Sequence, residues 1–296
     1  MLKTVRDAFK VKEIRDRLFY TFLMLIVVRL GCQLPLPGTT AESIASVTGQ
    51  FKNGAFGFFD ALTGGSFESM SIFALNITPY ITSSIIMQLL TIAIPKLEEM
   101  QKDGEDGRKK IAEYTRYVTV ALALVESIAM AIGFGNQGLL EGGPTRTNVT
   151  VIVVSLTAGS AFLMWLGERI TEKGVGNGIS IILLINIISR LPEDLIRLYN
   201  NFIATATVVN KVLASVVILV VVVAMVVFII LLQDGERKIP VQYAKKVQGR
   251  KMVGGQSSHI PLKVNTAGVI PVIFAGSILS FPIVIAQLMN IEPASG

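Results

Sequence analysis

Ala55-Phe56-Gly57-Phe58-Phe59-Asp60-Ala61-Leu62, then Thr63-Gly64-Gly65-Ser66, then the apolar run from Ser71 to Ile94, is the stretch that decides the fold. The opening segment spells an apolar, aromatic helix of about two turns, far short of the ~20 apolar residues that a bilayer crossing needs. The run at 71–94 is long enough to cross. A half-helix joined by glycines to a full one predicts a discontinuous transmembrane element. Irregular backbone survives at membrane depth only where protein or a water-filled cavity satisfies it, so the segment at 55–66 is expected to line a polar interior. Pattern alone favours a short interfacial loop helix.

The rest of the 296-residue chain agrees with a membrane setting: mean hydropathy is +0.60, with 51% hydrophobic and only 16% charged residues. The predicted class is an all-α polytopic membrane protein. Cys32 and His259 are the only cysteine and histidine, which leaves no CxxC or zinc site and little material for acid–base work. No enzymatic activity, metal or cofactor is expected. At the N-terminus, Leu2, Val5, Phe9 and Ile14 recur at helical spacing among six lysines and arginines, so residues 1–17 read as an amphipathic segment on an anionic membrane surface. No small-x-small cleavage motif follows the first apolar run.

Hydropathy predicts seven spans, near 18–36, 71–94, 117–135, 149–167, 176–191, 212–232 and 267–289. Spans one to five make a first domain, 18–191, and 212–296 begins a second. Alternate sides of these spans divide the lysines and arginines unequally. Residues 1–17, 96–116, 168–178 and 234–266 hold 21 of the 27. The positive-inside rule therefore places these segments and the N-terminus in the cytoplasm, with 55–66 toward the outer side. Arg29 lies in the outer part of the first span, where snorkelling lowers its cost. Glu126 in the third span reads either as a proton or ion ligand or as an acid paired with a neighbouring helix or facing a water-filled space. Ser155, Thr157, Gly159 and Ser160 suit close helix packing in the fourth.

The cytoplasmic loop 234–266 contains Lys238-Ile239-Pro240-Val241-Gln242-Tyr243-Ala244, which alternates like a strand, and turn glycines at 249, 254 and 255. Lys245, Lys246, Arg250 and Lys251 crowd its tip. Such a run serves topology or lipid headgroups, but this loop is longer than topology requires. A basic protrusion offers a steered docking point to RNA phosphates or to an acidic protein face.

Gly107-Arg108-Lys109-Lys110-Ile111, Tyr114-Thr115-Arg116-Tyr117, Gly176-Asn177-Gly178-Ile179-Ser180 and Pro261-Leu262-Lys263-Val264-Asn265, taken with the broken element, resemble the SecY family, the large subunit of the bacterial protein-translocation channel. The resemblance runs from about Arg15 to the end. It implies an inverted-repeat helical bundle that passes unfolded secretory chains across the cytoplasmic membrane and releases membrane segments sideways into lipid. The short helix becomes the plug of the resting pore, with Phe56, Phe58, Phe59 and Leu62 as its apolar face and Gly64-Gly65 as its hinge. By motif, the pore ring falls on Ile81, Ile85, Ile179, Leu183 and Ile273, an apolar constriction that dewets against ions. The lateral gate falls on Thr82, Ser83, Gln88 and Phe281, between spans two and three on one side and seven on the other. The implied partners are the small subunits SecE and SecG, the motor ATPase SecA, the ribosome, signal sequences, nascent chains and membrane lipids.

The family has about ten spans, and this chain ends at Gly296, just past the seventh, so it is expected to be a truncated form. A secondary transporter also uses broken helices. It should display a cluster of intramembrane acids, and only Glu126 answers that description.

Overall fold

The computed structural model describes residues 9–39, 63–136, 140, 143, 145–200, 208–241, 246–248, 251–253, 258–266, 268 and 275, and all that follows concerns these. Seven helices and four short strands succeed one another: α1 Lys12–Gln33, α2 Thr78–Ala93, α3 Pro95–Lys102, α4 Glu105–Asn136, α5 Arg146–Lys173, α6 Gly178–Leu198, α7 Val208–Asp234, β1 Glu236–Val241, β2 Lys246–Gln248, β3 Lys251–Val253 and β4 Ser258–Lys263. The chain divides into two compact units, Met1–Pro192 with Ile273–Gly296, and Glu193–Val272.

In the first unit α4 and α5 are the scaffold. Glu105 and Asp106 in the first turn of α4, and Lys173 in the last turn of α5, each complement the helix dipole. The two helices pack along their lengths, α2 lies on α4, and α1 lies on α5. Their seams are fastened by hydroxyls. Ser127 of α4 meets Thr157 of α5 at 3.0 Å, and Ser83 of α2 bonds Thr119 of α4. At the basic end Arg116 donates to Glu168 at 2.7 Å, a charge-assisted bond between α4 and α5. Arg29 is half-buried, and its Nη1 makes no hydrogen bond.

The run at 71–94 departs from the sequence expectation. It is helical only from Thr78, and residues 64–77 form a series of turns. Met70 and Asn76 have positive φ, 45° and 50°, which no helix accepts. Pro79 then opens α2, where its missing N–H costs nothing. At the far end Ile94 precedes Pro95 and is forced into the extended region, so α3 leaves α2 at 102°. By length and composition, α4, α5 and α7 can each cross a membrane among the described residues, and the bent pair of α2 and α3 is either a broken fourth span or a re-entrant loop.

Two apolar clusters fill this unit. One gathers Phe67, Met70 and Leu75 of the turn segment with Met130 and Phe134 of α4 and Ile152 and Leu156 of α5. The other sets Phe73 and Ile77 against Val28 and Cys32 of α1, Leu163, Leu166 and Ile170 of α5, and Ile182 of α6. The turn segment therefore lies at the centre of the unit, contributing to both clusters.

In the second unit α7 is apolar and exposed along its described face, as a lipid-facing helix would be. Glu236 pairs with Lys263 through to Val241 with Ser258, and Lys246 with Val253 through to Gln248 with Lys251. Four residues separate the strands on each side, so one antiparallel register carries through both ladders. The ribbon expected in loop 234–266 is present.

Candidate functional site

The turn segment and the start of α6 define the site. Met70 and Ile72 make short-strand hydrogen bonds to the residues after α1: Leu36 N–H donates to Met70 O at 2.9 Å, and Ile72 N–H to Leu34 O at 3.0 Å. On the other side, α5 offers a surface without side chains. The carbonyl of Ile72 sits where a Cβ on Gly159 would be, and Ser160 donates to Asn76 O at 3.2 Å. Gly159 and Ser160 of the fourth span thus receive irregular backbone, while Thr157 meets Ser127 of α4. A membrane-depth carbonyl finds a donor there, as unpaired backbone in lipid would otherwise be costly.

Each residue of Gly176-Asn177-Gly178 has a separate task. Gly176 holds φ at +70°. Asn177 Oδ1 accepts from the N–H groups of Ile179 (3.1 Å) and Ser180 (3.3 Å), which caps α6. Gly178 approaches α5 so closely that a Cβ would overlap the carbonyl of Gly167, and its N–H donates to Thr171 Oγ1 at 2.8 Å. The motif fixes where α6 starts and which face it presents.

That face is a stripe at intervals of four: Gly178, Ile182, Asn186 and Arg190 are buried. Asn186 is fully buried, and neither of its side-chain polar atoms is hydrogen-bonded. Gly64, with φ +68°, rests on it: a Cβ there would lie 2.7 Å from Asn186 O and 2.9 Å from its Cα. Gly65, with φ +84°, lies beside Arg190: a Cβ there would stand 3.7 Å from Nε and 3.8 Å from Cζ. Arg190 Nη2 donates to Glu68 Oε2 at 2.7 Å, and the two side chains are only 9% and 17% exposed. The glycine pair read as a hinge is thus seated against α6 in a left-handed conformation.

Ile81 of α2 and Ile179 of α6 pack on the same apolar cluster, Ile85 is buried in α2, and Leu183 is half-buried one turn beyond Ile179. The gate residues diverge, because neighbours on a helix differ by about 100°. Ser83 is buried and spends its hydroxyl on Thr119 and on Tyr80 O, joining spans two and three to each other; Thr82 is half-buried and Gln88 is exposed. In the ribbon, Lys246 and Lys251 open β2 and β3. Phe56, Phe58, Phe59, Leu62, Ile273, Phe281, Lys245 and Arg250 lie outside the described residues. Among the described residues no cluster of His, Cys, Asp or Glu could hold a metal.

The SecY family profile matches residues 71–295. This chain belongs to the SecY family. The protein translocase subunit SecY of Halalkalibacterium halodurans is 45% identical over 295 residues, which span 98% of this chain and 68% of the relative. The chain thus corresponds to about two thirds of that SecY. Among solved structures, a protein-conducting channel superposes with a TM-score of 0.63 at 20% identity, covering 95% of this chain and 60% of the other. A second, at TM-score 0.57 and 18% identity with the same coverages, is a SecY whose plug domain is described as stabilising the closed state of the translocation channel and maintaining a membrane seal. The bundle of a SecY channel is therefore the fold here, in a multi-pass membrane protein.

Sequence reading missed Glu68, Asn186 and Arg190. Arg190 was legible only as a charge ending a short apolar span, and its partner lies 122 residues away. The one available signal was that a basic residue so close to a span calls for a named counter-ion.

Proposed function

We propose that this chain forms the wall of a bacterial protein-conducting channel that passes unfolded secretory chains across the cytoplasmic membrane and releases apolar segments laterally into lipid. The observation that carries this reading is the buried turn segment 64–77. A membrane element interrupted by turns, with its backbone satisfied by α1 and α5, is the frame that a plug and a pore wall require. Ile81 and Ile179 packing on one cluster supports a ring built from two helices, whose apolar side chains exclude hydrated ions and yield to a moving chain.

The chain does no chemistry in this reading; a ribosome or the motor SecA supplies the drive. Both dock on the cytoplasmic side, where the basic ribbon stands, and SecE and SecG complete the complex. The excess of lysine and arginine at 1–17, 96–116 and 234–266 supports a cytoplasmic N-terminus. The test is Ile81→Asn with Ile179→Asn in the full-length channel in planar bilayers. A large rise in resting ion conductance at normal insertion is expected; an unchanged conductance would show that these residues form no seal.

A further inference from the structure

We propose that Arg190 and Glu68 form a latch that holds the plug-bearing segment in its closed seat, which makes Arg190 a positioning residue for gating. The inference rests on the channel reading above and adds the contact that keeps the channel shut.

Glu68 stands three residues beyond the left-handed pair Gly64-Gly65, where the chain leaves the region of the plug for the turn segment. Arg190 projects from α6 across to it, 2.7 Å away, with both side chains largely withdrawn from water. A buried ion pair is held firmly only while its geometry is kept, because removing one partner strands the other charge. Both glycines lean on the same single turn of α6, Gly64 on Asn186 and Gly65 on Arg190, and Gly64 tolerates no side chain there. The seat is consequently a fitted contact.

It also contains a built-in opposing element. Asn186 is buried at this contact with both polar atoms unbonded, so closure leaves an amide desolvated and unsatisfied. Lifting the segment rehydrates that amide, which offsets part of the loss of the ion pair. The Arg190–Glu68 bond is thus set against the buried amide of Asn186 at the same contact. Ile179 and Leu183 lie on the same helix as Arg190. A passenger that displaces α6 at the ring therefore acts directly on the latch.

The test uses the full-length channel with its small subunits in planar bilayers and in proteoliposomes with the motor ATPase. Glu68→Gln and Arg190→Gln are each expected to raise resting conductance at least about tenfold and to admit a passenger that lacks a signal sequence. Transport of a signal-bearing passenger should persist. The charge swap, Glu68→Arg with Arg190→Glu, is expected to restore the seal to within about twofold. A merely structural role would lower the protein's stability in the singles while leaving the resting conductance unchanged. Singles as tight as the unmodified channel, or a swap as leaky as the singles, overturn the latch. If a neutral variant does not accumulate, the swap alone decides, sealed for and leaky against. An unmodified channel that transports normally while the variants change nothing overturns only the latch. One that passes no signal-bearing chain overturns the channel reading with it.

Discussion

Gly159→Ala is a one-carbon change whose consequence can be worked out from the packing of α5. The added Cβ would meet the Ile72 carbonyl oxygen head-on and stand 3.0 Å from Ile72 Cγ2 and 3.1 Å from its carbonyl carbon. Backbone cannot rotate out of the way as a flexible side chain can. Either α5 or the turn segment must shift, and overpacking of this kind costs about 1–3 kcal/mol. A shift of the turn segment also stretches the bond from Ser160 to Asn76 O, worth about 1 kcal/mol. The expected loss is roughly 2–4 kcal/mol, and at about 2–4 °C per kcal/mol for a unit of this size the midpoint should fall roughly 5–15 °C. Cys32 reports the event. It is the only cysteine of the chain, it is 4% exposed, and it packs in the cluster that also holds Phe73 of the turn segment. Heating in detergent with a thiol-reactive dye should unmask it at the lower temperature in Gly159→Ala. Ala158→Leu is the control, since Ala158 is exposed on the same helix and should leave the midpoint nearly unchanged. Equal midpoints for the two variants would refute the placement of Ile72 against α5.

Asn177→Ala removes the cap of α6 and is expected to lower stability by about 1 kcal/mol, while Asn177→Asp should retain most of it; equal losses in thermal unfolding would mean that Asn177 acts other than as a cap. Replacing Lys246 and Lys251 by Glu in the full-length protein should weaken ribosome or motor binding and flatten its dependence on salt, whereas superimposable salt titrations would return the ribbon to a topological role. Ser83→Ala and Thr119→Val, singly and together, should show coupling between the two positions; strictly additive losses in unfolding midpoint would deny the bond between α2 and α4.

The long apolar helices were legible because composition and length suffice to identify them: the spans expected at 117–135, 149–167 and 212–232 fall inside α4, α5 and α7. The same logic erred at 71–77, where apolar residues predict a helix but positive φ at Asn76 and the bond from Ser160 hold a turn. Pro79 marked the helix start, and Pro95 its end, for a reader who gave prolines more weight than hydropathy. Gly176-Asn177-Gly178 was recognisable as a motif, but its three separate tasks depend on α5, whose approach no local pattern encodes. The Arg190–Glu68 pair was invisible for the same reason: it joins two elements that only the fold brings together. For the site, Ile81 and Ile85 are assigned to the ring by resemblance to a family, since the sequence pattern alone would turn them toward lipid.

The most direct measurement of the central claim is site-specific crosslinking of a stalled secretory chain in the full-length channel, with a photoreactive residue in turn at 81, 85, 179 and, as a lipid-facing reference, at Leu219 of α7, which is exposed. Crosslinks to the passenger from 81, 85 and 179 but not from 219, appearing only when a passenger is engaged, are expected of a pore wall. Crosslinks to lipid from 81, 85 and 179, with none to the passenger, would contradict the account.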